Sequence, residues 1–351
     1  MLAITVLPGK ADSARLEEVP EPAPSDGSVV VRTVALGVCG TDREIVSGAY
    51  GVPPAGQSRL ILGHESLGVV EAAPERCGVA PGDVVVGIVR RPDPVPCPAC
   101  AAGEWDMCRN GEYSERGIKE RHGFGSQRFR IEPQFAVSIN PALSYLGVLM
   151  EPASILAKAW DQIDLIGLRA RGWQPRTALV TGAGPIGLLG ALMGAQRRID
   201  VHVFDHNRSG PKPALVRDLG AAYHDTDLAA VLDDLAPDVI MECTGVPQVV
   251  GAVLGRTDPT GIVCLTGVSS DRELSIDLGR LNRAMVLSNH IVFGTVSANR
   301  RHYQAAADAL SRADSRWLGR IISRRVPLAR WSEALEHRPD DIKVIVDFAP
   351  P

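Results

Sequence analysis

A chain of 351 residues with 45% hydrophobic residues and a mean hydropathy of +0.03 is too long for one ordinary core and too apolar for disorder, so two soluble globular domains are expected. The formal net charge of -4 speaks against a nucleic-acid or anionic membrane partner, and no apolar run reaches transmembrane length. Seven cysteines, an odd number with three clustered, do not read as a secreted disulfide framework, and the N-terminus enters a strand pattern at once, so a cytoplasmic location is expected.

Up to about Pro141 the chain consists of short β-like runs separated by Gly and Pro: Ser28 to Val34, Leu67 to Ala72, Asp83 to Val89 and Phe129 to Ile131. These predict a mostly β domain with irregular connections. A helical stretch over Pro152 to Trp160 then leads into a new pattern. After Arg176, strands at Thr177 to Thr181, Val201 to Phe204, Val239 to Cys243, Ile262 to Thr266 and Ile291 to Thr295 alternate with helices. That alternation predicts an α/β domain, a doubly wound parallel sheet. The final strand, Lys343 to Phe348, follows an amphipathic helix near Tyr303 to Leu310 and is an orphan for that sheet. It is assigned to the first domain, giving residues 1–155 completed by 300–351, and a second domain over 156–299.

Thr177 to Gly187 reads T-A-L-V-T-G-A-G-P-I-G, a β-branched run ending in G-x-G-x-x-G and passing into an apolar helix. Gly182 allows the tight turn, Gly184 lets backbone approach a pyrophosphate, and Gly187 lets helix and strand pack closely, with Pro185 and Ile186 opening the helix. The free N–H groups of that helix start face the phosphates. The next strand ends on Asp205, where an acid meets the adenosine ribose. Asp205 predicts NAD, and the neighbouring His206 and Arg208 leave NADP open. Thr244 with Gly245, and Gly267, lie at the ends of later strands, where they read equally as cofactor contacts and as plain turns.

Cys39, Thr41, His64 and Glu65 supply a thiolate, a hydroxyl, an imidazole and a carboxylate within the β domain. Taken singly, each is commonplace. With Glu151 they make a Cys/His/Glu ligand set for a zinc that keeps one position open, as a Lewis acid acting on an alcohol requires. In this reading Cys39, His64 and Glu151 hold the metal and Thr41 relays the proton. Glu65 orients His64 or exchanges onto the metal.

Cys39-Gly40-Thr41-Asp42, Gly63-His64-Glu65, Pro81-Gly82-Asp83 and Gly182-Ala183-Gly184-Pro185-Ile186-Gly187 together resemble the zinc-dependent medium-chain alcohol and polyol dehydrogenases over essentially the whole chain. A narrower likeness, to the glucose (aldose) dehydrogenase branch, rests on Cys39 to Val46, Val89-Arg90-Arg91-Pro92, Gly111 to Ile118 and His122-Gly123-Phe124, and on Glu151 before Pro152. The resemblance implies a GroES-like β domain and a Rossmann domain, with zinc and NAD(P) as cofactors. It further implies that Glu115 hydrogen-bonds sugar hydroxyls, with Glu151 also at the substrate. Two amides of sugar-oxidising relatives appear here as Val89 and Ser297, which puts glucose itself in doubt. It also makes Cys97, Cys100 and Cys108 resemble a structural-zinc lobe that normally has four thiolates. Pro94 holds the first slot and Asp93 is the substitute on offer; a bound second zinc, an empty lobe and three free thiols all stay open. Cys77, Cys243 and Cys264 have no metal spacing.

The expectation is a zinc-dependent oxidoreductase moving a hydride between a sugar, polyol or cyclitol hydroxyl and NAD(P), with a small polyhydroxy alcohol as substrate. A homodimer or homotetramer is expected. A dehydrogenase of a non-sugar or amino-alcohol is the alternative, followed by a non-catalytic nucleotide-binding protein.

Overall fold

The computed structural model describes residues 1–269 and 273–349. They form two compact units, Met1–Ser154 with Ser297–Pro351, and Ile155–Val296.

The first unit is built on a sheet ordered Ala136–Ser138, Val84–Gly87, Glu65–Ala72, Val29–Val38, Lys343–Asp347, Ile322–Pro327, with Arg128–Ile131 also pairing to Val29–Val38. The central strand Val29–Val38 runs four residues past the end its sequence suggested, because Ala35 to Gly37 is paired on both sides and Val38 pairs with Val344. The strand Glu65–Ala72 likewise starts two residues early. Lys343–Asp347 adds antiparallel to Val29–Val38, so the last strand of the chain completes a sheet begun near its start. A smaller sheet of Arg90–Arg91, Ser114–Arg116 and Glu120–Arg121 holds the Arg-Arg pair and Glu115 in register, with Arg90 opposite Glu115.

The second unit is a six-stranded parallel sheet ordered Ala222–His224, Asp200–Phe204, Thr177–Thr181, Val239–Glu242, Ile262–Leu265, Ile291–Gly294. The order reverses beside Thr177–Thr181, which creates the crevice at the strand ends where such sheets bind ligands. The strand Ala222–His224 was not legible in the sequence: it is a short edge strand of partly exposed residues without apolar alternation. Leu179, Ile240 and Val263 of the sheet pack with Val231, Leu232 and Val253 of two covering helices. On the helix Pro185–Gln196, a Cβ at Gly190 would stand 2.8 Å from the Met241 sulfur, so a larger residue there would have to push the Met241 side chain aside. Among the described residues no helix is long and apolar enough to cross a membrane.

Candidate active site and cofactor site

Cys39 follows the central strand and caps the helix Gly40–Val46, where the Asp42 carboxylate accepts the Cys39 N–H at 2.9 Å. His64 sits in the turn before Glu65–Ala72, reached through Gly63 at φ +91°. This turn brings His64 Nε2 to 3.0 Å from Cys39 Sγ, while His64 Nδ1 faces the Asp42 carboxylate at 3.4 Å. A carboxylate behind the far ring nitrogen is the usual way a metal-binding imidazole is oriented. The sequence signal for Asp42 is only an acid three residues after a candidate ligand. Burial pulls the His64 pKa down, but the Cys39 thiolate and Asp42 outweigh it and hold the imidazole well above its usual range.

Donor atoms of Cys39, His64 and Glu65 lie within 4.8 Å of one another. Both Glu65 oxygens, however, accept from Lys343 Nζ at 2.6 Å, and the same ammonium donates to Val38 O at 3.3 Å. Glu65 and Lys343 are both buried. Glu151 stands outside that tight group, at the start of the helix Met150–Gly167, 9% exposed. Its carboxylate accepts no hydrogen bond among the described residues. Burial, with Glu65 and Asp42 adding to it against His64 and Lys343, pushes its pKa up to about 7. A buried carboxylate without a donor, beside a thiolate–imidazole pair, fits a divalent cation. Thr41 lies in the first turn of the Gly40–Val46 helix and is partly exposed.

Glu115 is buried, and its Oε1 accepts from Arg90 Nε and Nη2, both at 3.0 Å. Arg90 stacks 3.8 Å from the Tyr113 ring centroid and donates to Asp106 O. The second Glu115 oxygen accepts nothing among the described residues. Val89 is buried, and Ser297 is buried at φ +58°, a left-handed conformation that an amide side chain favours over serine.

Cys97, Cys100 and Cys108 gather their sulfurs within 4.8 Å of one another. Asp93 does not join them. Its Oδ1 accepts the Val95 N–H at 2.8 Å and its Oδ2 accepts Asn110 Nδ2 at 2.7 Å. Cys264 is a buried strand residue, as expected, while Cys243 lies just past its strand and is half-buried.

In the second unit Gly182 has φ +90°, a Cβ at Gly187 would fall 1.8 Å from Gly182 O, and Gly184 has open space around it. All three glycines thus meet the needs of a phosphate-binding turn, with Pro185 and Ile186 opening the helix Pro185–Gln196. Asp205 is more committed than its position alone suggested. Its Oδ2 accepts the Ala183 N–H at 2.7 Å, its Oδ1 accepts the Asn207 N–H at 3.0 Å, and Lys212 Nζ stands 3.5 Å away. His206 Nδ1 lies 3.6 Å from Asp205 but its side chain is exposed, as is Arg208.

Glu242, which the sequence reading passed over, is fully buried at the end of its strand. Its Oε1 accepts from Thr181 Oγ1 (3.2 Å), the Thr244 N–H (2.8 Å), the Thr244 hydroxyl and the Gly245 N–H (3.2 Å). Its backbone carbonyl takes Thr266 and Gly267 N–H groups. A Cβ at Gly267 would come within 2.2 Å of Gly245 N. Glu242 therefore ties the three turns after Thr181, Cys243 and Leu265 into one block.

The alcohol dehydrogenase GroES-like domain model matches residues 25–141, and the glucose dehydrogenase C-terminus model matches residues 144–348. A glucose 1-dehydrogenase of Methanocella arvoryzae is 40% identical, with 99% of each chain covered, and one of Thermoproteus tenax is 37% identical with the same coverage. The structure of Haloferax mediterranei glucose dehydrogenase in complex with NADP, Zn and gluconolactone matches with a TM-score of 0.92 and 32% identity, covering 100% of both chains. Galactitol-1-phosphate dehydrogenase from Escherichia coli shares the fold, with a TM-score of 0.80 at 20% identity and 99% and 100% of the two chains covered. The chain belongs to the zinc-dependent medium-chain alcohol dehydrogenases, in their glucose dehydrogenase branch.

Proposed function

We propose that this chain oxidises the anomeric or a secondary hydroxyl of an aldose, polyol or cyclitol, passing the hydride to NAD(P), with a zinc held by Cys39, His64 and Glu151. Membership of the branch makes it a zinc- and NAD(P)-dependent sugar dehydrogenase. The observation that carries the metal assignment is the buried, unbonded Glu151 carboxylate beside the Cys39–His64 pair. Zinc bound there supplies Lewis acidity that makes a hydroxyl easier to deprotonate.

The side chains do the rest. Asp42 fixes the His64 ring so that Nε2 faces the metal position, and Thr41 Oγ1 takes up the hydroxyl proton and passes it outward. Lys343 holds both Glu65 oxygens and keeps the side chain turned aside, available as an alternate donor. Glu115 offers its free oxygen to sugar hydroxyls while Arg90 fixes the other. With Val89 and Ser297 in place of amides, the best substrate is a hydroxyl-rich compound other than glucose, because unpaired buried hydroxyls are costly. Asp205 favours NAD, since its carboxylate repels a ribose phosphate; Lys212, His206 and Arg208 set the residual use of NADP. We place the protein in the cytoplasm as a homodimer or homotetramer.

The test is a spectrophotometric screen of aldoses, polyols and cyclitols with each cofactor, run before and after dialysis against a chelator. Activity that persists without bound metal, or simple monoalcohols exceeding every polyol, overturns the reading.

A further inference from the structure

The cysteine lobe plays no part in the chemistry above, and its geometry departs from a closed four-ligand site. Cys97 caps the short helix Pro98–Ala101, Cys100 lies within it, and Cys108 follows the turn Trp105–Met107. Their sulfurs converge within 4.8 Å of one another. Sulfurs around a tetrahedral zinc, each at about 2.3 Å from the metal, stand roughly 3.8 Å apart, so little rearrangement separates this cluster from a bound state. Cys97 Sγ is further oriented by N–H groups of Cys100 at 3.5 Å and Arg109 at 3.4 Å. Cys97 and Cys100 are buried while Cys108 is half-buried, so the cluster has one side towards solvent.

Among the described residues the three sulfurs have no fourth protein donor. Pro94 has no ligating atom. Asp93, the nearest acid in sequence, is itself buried and has each oxygen engaged, one in a local turn to Val95 and one on the Asn110 amide. Among the described residues no further His, Cys, Asp or Glu joins the three sulfurs within the same radius.

We infer that the lobe binds zinc through Cys97, Cys100 and Cys108 alone and leaves its fourth position to an exogenous soft donor, a small thiol or an imidazole. A site closed by four protein ligands is inert to added ligands; an open trithiolate site exchanges them. The lobe is therefore a second ligand-accepting metal centre rather than a sealed structural one, and it is independent of the catalytic assignment.

Cobalt(II) substitution reads the lobe directly. In Cys39→Ser, which removes the catalytic thiolate, the remaining cobalt should show intense thiolate charge-transfer absorption. Its d–d bands should shift saturably on titration with 2-mercaptoethanol or imidazole. Zinc content should stay at one equivalent in the lobe of Asp93→Asn, and fall by one equivalent in Cys97→Ser or Cys108→Ser. A cobalt spectrum indifferent to both added ligands overturns the open position, and this titration needs no change within the lobe. Loss of the lobe zinc in a folded Asp93→Asn would make the acid a ligand. Absence of thiolate-bound metal in Cys39→Ser would make the lobe three thiols only.

Discussion

Replacing Glu151 with glutamine isolates the cost of burying its charge. In the folded chain this carboxyl, 9% exposed and without a donor, has its pKa pushed from the ordinary 4.5 up to about 7. A folded-state pKa above the unfolded one means that the folded chain binds more protons between the two values. The contribution to stability is therefore fully present below about pH 4.5 and is lost as pH rises through 7. At about 1.4 kcal/mol per pH unit, that gap corresponds to about 3 kcal/mol. Urea unfolding of metal-stripped protein at pH 5 and pH 8 measures it, with Glu151→Gln as the reference. Taking the difference between the two proteins cancels the titrating groups that do not interact with Glu151. The parent should lose about 2.5 kcal/mol more than the variant over this range, slightly less than the full gap because pH 5 already lies above 4.5, and zinc should abolish the difference by pairing the carboxylate. Equal pH slopes in the two metal-stripped proteins would refute the argument, as would a parent that gains on the variant as pH rises.

Lys343→Met strips both Glu65 oxygens of their partner and should cost about 3–5 kcal/mol in urea unfolding, largely recovered by adding Glu65→Gln; a loss within about 1 kcal/mol would show the pair to be dispensable. Glu242→Gln places an NH₂ group where Oε2 now faces the Gly245 N–H at 3.1 Å, so NAD(P) affinity by fluorescence titration should weaken about tenfold while kcat at saturating cofactor changes little. Unchanged affinity would leave Glu242 a purely structural residue. Glu115→Gln should lower kcat/KM on the best polyol about tenfold or more, with zinc content and cofactor affinity unaffected; a variant matching the parent on every hydroxylated substrate would remove Glu115 from the sugar site.

The nucleotide fold was legible because its sequence signals are conformational demands. Gly182 must take a positive φ and Gly187 must lack a Cβ, and both requirements are visible as letters. The Cys39–His64 pair was legible because its residue types suit one chemistry. Asp93 stands apart from the three sulfurs for a local reason: a short acid in a loop accepts a backbone N–H two residues on, here that of Val95. Glu242 carries no signal of its own in the sequence, because an acid ending a strand reads the same as Asp205.

Lys343 shows what only the assembled sheet reveals. A lysine heading the apolar run Lys-Val-Ile-Val must either stay at the surface or find an anion, and sequence does not say which anion. The partner is 278 residues away, and strand register selects it. Glu65 pairs across Gly37, and Gly37 pairs in turn across Ile345, two residues beyond Lys343. A side chain at position 37 would collide with the Glu65 carboxylate, with its Cβ only 2.0 Å from Oε2. Glycine there lets Glu65 lie over the central strand and reach the ammonium on the strand beyond. The tie between the last strand and the candidate metal site thus depends on an absent methyl group, and Gly37→Ala should break it without touching either charge.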